Sequence, residues 1–239
     1  MEIFIILACV PLYVLNSFCD KIVSLRSENR YNYIYNCLKF LICTLCMVPT
    51  LFAGEPLQFA WGSLLCGAAC GLFYAVSKTA MLKGYAATSV AFMTLCHSSG
   101  MILPCILGHF LWSEKLNLVS ACGIGITIFA IVLLKETGRN GNGMQAKGVI
   151  WGILIFLTSA GVMIIQKVMG LYFADQNIGL YNLYSFIVAA GLLCFRIKPV
   201  EENCNRRDKK MIRVCAVGSA VSLSAISFVM TWLAADVPS

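Results

Sequence analysis

Charge is scarce in this chain. Asp, Glu, Lys and Arg make up 12% of its 239 residues, where a soluble domain carries about a quarter. With 59% hydrophobic residues and a mean hydropathy of +0.81, that scarcity excludes an ordinary soluble domain. Histidine is scarcer, at two residues. No acidic cluster accompanies either one, which argues against a metal centre and against a membrane-embedded enzyme that needs clustered acids or metal ligands. No cofactor is expected. A positively charged leader is also missing, since Glu2 stands where a signal peptide would be basic, so the first apolar run reads as a retained helix. Cysteine is the one plentiful reactive type, at 13. Most of these thiols lie inside apolar runs and read as small apolar residues. Cys43 and Cys46 form a CxxC in spacing alone.

What is abundant is apolar length. Eight runs, at 3–19, 33–53, 58–82, 86–112, 116–134, 147–166, 178–197 and 211–235, approach the ~20 residues that cross a bilayer. They predict an all-α, polytopic transmembrane helix bundle. The basic residues alternate between the gaps. Gap one holds Lys21, Arg26, Arg30 and Lys39, gap three Lys78 and Lys83, and gap five Lys135, Arg139 and Lys147. Gap seven is richest, from Arg196 to Arg213, whereas gap two has none, gap four only Lys115 and gap six only Lys167. Positive loops stay cytoplasmic, so the odd gaps face inward, Glu55 faces outward and the N-terminus lies outside. The formal charge of +7 is accounted for by these loops and by contact with anionic lipid. No nucleic-acid partner is expected.

The polar, Gly-rich stretch 136–147 reads as a hinge between 1–135, with five crossings, and 148–239, with three. The two parts share a register. Lys21 and Lys167 end crossings one and six, 167 − 21 = 146 positions apart. Tyr35, Asn36 and Phe40 recur as Tyr181, Asn182 and Phe186 at the same displacement. Ala87-Thr88-Ser89 falls opposite Val237-Pro238-Ser239. A repeat with an odd number of crossings must return upside down, the arrangement of many secondary transporters. By the same displacement two further helices would complete the copy, and the chain is expected to be a truncated product.

Residues 75–134 carry a specific pattern. It runs A-V-S-K-T-A-M-L-K-G-Y-A-A-T-S-V-A-F, then G-M-I-L-P-C-I-L-G-H-F-L-W-S-E-K-L-N, then A-C-G-I-G-I-T-I-F-A-I-V-L-L. A Pro-broken fourth crossing, a Ser-Glu-Lys turn and a Gly-containing fifth crossing resemble the drug/metabolite transporter superfamily, of the ten-helix EamA type. The resemblance implies a secondary carrier of small organic solutes with a cavity between its halves. It also implies a multi-pass protein of a bacterial plasma membrane.

Several residues could line that cavity. His97, Ser98 and Ser99 put polar groups near the middle of the fourth crossing, where they are costly unless paired or wetted. Pro104 removes a backbone donor and can kink that helix. Asn16, Asn36, Asn182 and Gln166 are polar within or beside apolar runs, where such groups often join helices, and Tyr74 can line the path. Lys78 is expected to snorkel to the surface, with contact to an anionic substrate as the alternative; Lys21 and Lys167 are expected to anchor helix ends, with a paired gate with Asp20 as the alternative, and Glu114 to cap the fifth crossing. Gly67 and Gly71, with Gly123 and Gly125, are expected to serve packing inside the bundle, with a homodimer face as the alternative. Every Asp and Glu is read as lying at an end or in a loop, which favours a neutral or zwitterionic, amino-acid-like solute moved by alternating access. The alternatives are a membrane-embedded transferase and a non-functional fragment.

Overall fold

A computed structural model describes residues 2–26, 29–52, 60–113, 118–137, 146–173, 175–197 and 206–236. Glu55, Glu114, the loop charges Lys115, Arg139 and Lys198, most of the 136–147 hinge, and Val237–Ser239 lie outside them. Every regular element described is helical: α1 (Glu2–Arg26), α2 (Asn29–Met47), α3 (Trp61–Ala87), α4 (Val90–Ser99), α5 (Ile102–Trp112), α6 (Leu118–Thr137), α7 (Ala146–Tyr172), α8 (Ile178–Cys194) and α9 (Arg206–Asp236). A 3-10 turn, Pro49–Phe52, extends α2. Among the described residues five stretches are long and apolar enough to cross a membrane, and Val90–Trp112 spans both α4 and α5. The chain is a polytopic all-α bundle.

Local chemistry sets the boundaries. Ser89 caps α4 by accepting a hydrogen bond from the Phe92 amide at 3.2 Å, and Asn177 caps α8 by accepting from Leu180 at 3.2 Å; each satisfies an orphan N–H of the first turn. The α4–α5 break falls at Gly100 and Met101, four and three residues before Pro104. Proline has no N–H and its ring crowds the carbonyl four residues back. Gly100 and Met101 instead close tight turns onto the His97 and Ser98 carbonyls at 3.2 and 3.3 Å.

Packing follows small residues. A Cβ on Gly67 would lie 2.8 Å from Tyr184 Cβ, and one on Gly71 would meet the Ser185 carbonyl and Val188. These two glycines let α3 lie directly on α8. Gly123 and Gly125 differ from expectation: a Cβ on either would meet nothing within 4 Å. They face outward on α6, whose described packing is against α4.

The interhelix contacts exchange under the sequence displacement. α3 packs on α7 as α1 packs on α9, and α3 packs on α8 as α2 packs on α9. α2 and α8 pack on each other, with Phe40 and Phe186 stacked at 6.0 Å between ring centroids. Lys21 lies over the Tyr85 ring at 5.9 Å and Lys167 over Trp112 at 4.9 Å. Those two aromatics flank opposite ends of the Val90–Trp112 span.

Candidate functional site: a buried ionic cluster beside a broken helix

The helices run past their apolar stretches. α1 continues to Arg26, α2 begins at Asn29, α3 continues to Ala87 and α9 begins at Arg206. Charges that the alternation between gaps assigns to loops therefore belong to helices. Asp20 is 1% exposed, Lys39 0% and Lys78 3%. At 1.5 Å per residue, Asp20, Lys78 and Lys39 sit roughly 9, 13 and 15 Å inside their helix ends, and Ser219 about 20 Å inside α9. α3 is 27 residues long, about 40 Å, against about 30 Å of hydrocarbon. Lys78 is thus well within the apolar slab. The structure corrects two expectations here. Asp20 is an embedded carboxylate, and Lys78 does not snorkel, because its ammonium turns inward to that carboxylate.

The cluster is held by directed contacts. Asp20 Oδ1 accepts hydrogen bonds from Tyr35 Oη at 2.6 Å and Lys39 Nζ at 3.0 Å, with Ser219 Oγ at 3.4 Å. Lys39 also donates to Asn16 Oδ1 at 2.7 Å, which accepts again from Ser219 at 2.6 Å. Lys78 Nζ stands 4.0 Å from Asp20 Oδ2. It makes no hydrogen bond among the described residues. Two ammoniums and one carboxylate sum to +2 − 1 = +1. A charge at this depth is tolerated only when paired or functional. The pairing of Asp20 with Lys39 is complete, whereas Lys78 keeps its donors uncommitted.

His97 stands on the neighbouring wall. Its ring stacks on Tyr13 of α1 at 5.8 Å and 22°. Its Nδ1 is buried without a hydrogen-bond partner among the described residues, and Lys78, Asp20 and Lys39 lie within electrostatic range. Its carbonyl, freed by the break, accepts from Ser159 Oγ of α7 at 2.9 Å. Gly100 makes that approach possible, since a Cβ there would collide with Ser159.

The family model that matches this chain covers residues 1–135, from α1 to the last turns of α6, and is that of the EamA-like transporter family. The chain belongs to the EamA-like transporter family. A Bacillus subtilis (strain 168) protein described as an uncharacterized transporter, YxxF, is 27% identical over 140 residues, 53% of this chain and 44% of that protein. The chain spans less than half the length of that relative. This EamA-like protein is therefore a multi-pass membrane protein of a transporter family.

Within the EamA-like bundle the sequence-derived candidates separate into three groups. Asn16 belongs to the ionic cluster. His97 lies beside it; Ser98 follows at the break, its carbonyl accepting from Met101, and Ser99 turns back to its own helix, donating to Cys96 O at 2.8 Å. Tyr74 and Asn182 meet elsewhere, both on Ser227 of α9, at 3.3 and 2.7 Å; Asn182 also donates to Ile178 O. Their surroundings are aromatic, with Tyr74 between Phe40 and Phe186 at 6.1 and 5.8 Å. Asn36, the counterpart of Asn182, is 1% exposed, and neither side-chain atom finds a partner. Gln166 is buried on α7. Pro104 marks the helix break and is itself buried. Asp20, Lys39, Tyr35 and Ser219 are the members of the site that apolar patterning misses. A signal for them exists: Asn16 with Asp20, and Tyr35 with Lys39, are spaced i, i+4 on facing helices, and Asn16 and Lys39 lie equally far from residues 27–28.

Proposed function

We propose that this protein is a secondary carrier of a small organic metabolite, amino-acid-like in character, working by alternating access between two inverted sets of helices. The observation that carries the reading is the Asp20–Lys39–Lys78 cluster, enclosed at membrane depth and flanked by a helix broken at Gly100–Met101. Broken helices with polar groups gathered near the bilayer midplane are how secondary transporters build solute sites. The exchange of helix contacts between the two parts, and the placing of Lys21 and Lys167 at opposite ends of one span, support the inverted relation. Nothing in the cluster calls for catalysis, so a carrier is favoured over a transferase. A bacterial plasma membrane is the proposed location, with solute and lipid as partners. The bare outer face of α6 keeps a homodimer open as a second association.

The test is flux. Purified protein in vesicles, screened against a panel of amino acids and related metabolites, is expected to move at least one down its gradient. His97→Ala is expected to reduce that flux about tenfold or more while insertion and yield stay at wild-type level. Wild-type flux in His97→Ala removes His97 from the pathway, and vesicles inert to the whole panel refute the carrier.

A further inference from the structure

The ionic cluster is one negative charge short. Asp20 receives two donors at one oxygen, from Tyr35 and Lys39, with Ser219 Oγ 3.4 Å away and its hydrogen directed to Asn16 at 2.6 Å. Lys39 is satisfied by Asn16 and Asp20. Among the described residues Lys78 has only the 4.0 Å ionic contact to Asp20 Oδ2, and it is buried to 3% exposure. A buried ammonium without hydrogen bonds is unfavourable, and the missing partner is an acceptor of charge −1. Further buried polar groups of the first half are without hydrogen-bond partners among the described residues. Ser77, adjacent to Lys78, leaves Oγ unbonded, Asn36 leaves both amide atoms unbonded, and His97 leaves Nδ1 unbonded, all buried. Asn36 lies one turn before Lys39 on the same face of α2.

The second half shows what these positions do when they are structural. Asn182 replaces Asn36, and Ser227 falls opposite Ser77 at the displacement 227 − 77 = 150; these two bond each other at 2.7 Å. Phe228 stands where Lys78 stands, and Gln166 where Asp20 stands. The charges at these positions thus belong to the first half alone, and the Asn–Ser pair that is bonded in the second half is open in the first. The second half has unbonded buried hydroxyls of its own, at Tyr181 and Ser224, so the contrast lies in the Asn–Ser pair and in the charges.

We propose that Lys78 binds the carboxylate of the transported solute, with Asn36, Ser77 and His97 available to the solute's remaining polar groups. The assignment rests on the carrier reading and names its substrate class. A monocarboxylate brings the buried charge from +1 to zero, whereas a phosphate dianion takes it to −1. That difference selects a free monocarboxylate over phosphate; a zwitterionic amino acid can pair its carboxylate with Lys78 but brings its own ammonium and leaves the sum at +1.

Thermal unfolding of the purified full chain tests this at constant ionic strength. The probes are pyruvate, L-alanine, L-leucine and L-glutamate, each beside its uncharged-carboxyl amide, with inorganic phosphate as the dianion. At least one carboxylate is expected to stabilise the protein and to bind about tenfold or more tighter than its amide, the scale of a hydrogen bond to a charged group. Lys78→Gln is expected to bring that ratio to about one, and Lys78→Arg to keep it well above one. Three results overturn the assignment: no carboxylate outperforming its amide, a ratio that survives Lys78→Gln, or stabilisation by phosphate alone. If Lys78→Gln does not fold, the ratios of wild type and Lys78→Arg decide, and a ratio near one in both overturns it. Flux separates the two readings. Vesicles that move amides while ignoring carboxylates overturn the carboxylate site and leave the carrier standing. Intact carboxylate binding with no flux of any compound overturns the carrier and leaves the site.

Discussion

Replacing Asp20 by Asn removes the only negative charge among the three ionised groups of the buried cluster and almost none of its volume. At an effective dielectric of about 20, a unit charge 3.0 Å away, as Lys39 is, contributes roughly 5 kcal/mol of attraction, and one 4.0 Å away, as Lys78 is, roughly 4 kcal/mol. Desolvation of the carboxylate offsets much of this. What remains after the substitution is two ammoniums enclosed together, and breaking a buried pair from one side destabilises by about 3–5 kcal/mol. The Asn side chain can still accept from Tyr35, which places the expected loss near 3 kcal/mol. Removing Lys39 as well, in Asp20→Asn/Lys39→Met, takes away one uncompensated charge. The double variant is then more stable than the sum of the single effects predicts, with a coupling of about 2 kcal/mol. Titration of the purified protein from mild into denaturing detergent, followed by loss of tertiary fluorescence, measures these values. Asp20→Asn within about 1 kcal/mol of wild type, or strict additivity with Lys39→Met, would falsify the view that Asp20 neutralises the cluster.

Other consequences are equally open to measurement. Gly67→Leu drives a side chain into Tyr184 and the Tyr181 carbonyl and is expected to destabilise the bundle by about 1–3 kcal/mol or more, whereas Gly123→Leu, facing open space, is expected to change stability by less than about 0.5 kcal/mol; equal effects in the same detergent titration refute the assigned faces. Cys37 of α2 and Cys194 of α8 bring their sulfurs to 2.7 Å, so a mild thiol oxidant is expected to protect both from alkylation together and reversibly by reductant. Peptide mass analysis in which Cys194→Ser leaves Cys37 equally protected contradicts that pairing. Pro104→Ala restores a backbone donor and relieves the crowding at Gly100, and is expected to lengthen α4 into α5 and lower flux severalfold at unchanged expression; unaltered flux together with slower amide exchange at 100–104 separates the break from transport.

Apolar runs are a faithful guide where lipid is the neighbour. The crossings at 86–112 and 116–134 reappear as α4–α5 and α6 within a few residues, because lipid demands continuous hydrophobicity. Pro104 and the Gly67/Gly71 pair announce their roles through chain geometry alone. The same logic fails where a helix touches only protein. Lys39 and Lys78 are counted with the loop charges although they fall inside the runs 33–53 and 58–82, and both sit in mid-helix with an acid or amide in reach. Counting them as loop charges strengthens the charge alternation for a reason unrelated to topology, and without them gap three retains Lys83 alone. Gly123 and Gly125 mislead in the opposite direction. A small residue reads alike whether a neighbour presses on it or nothing does, and only the placement of α6 distinguishes the two.

The ionic trio has no charged counterpart at the positions 146 to 150 residues on, where α7–α9 carry Gln166, Ser185 and Phe228. In a rocker built from two equal arms, inward and outward facings would have the same energy. Here one arm carries a net positive core and the other carries Phe228 and Gln166 in its place. In the proposed carrier the empty protein is expected to have a preferred facing, set by whichever orientation lets water reach the unsatisfied ammonium, with a bound anion shifting that preference by removing its cause.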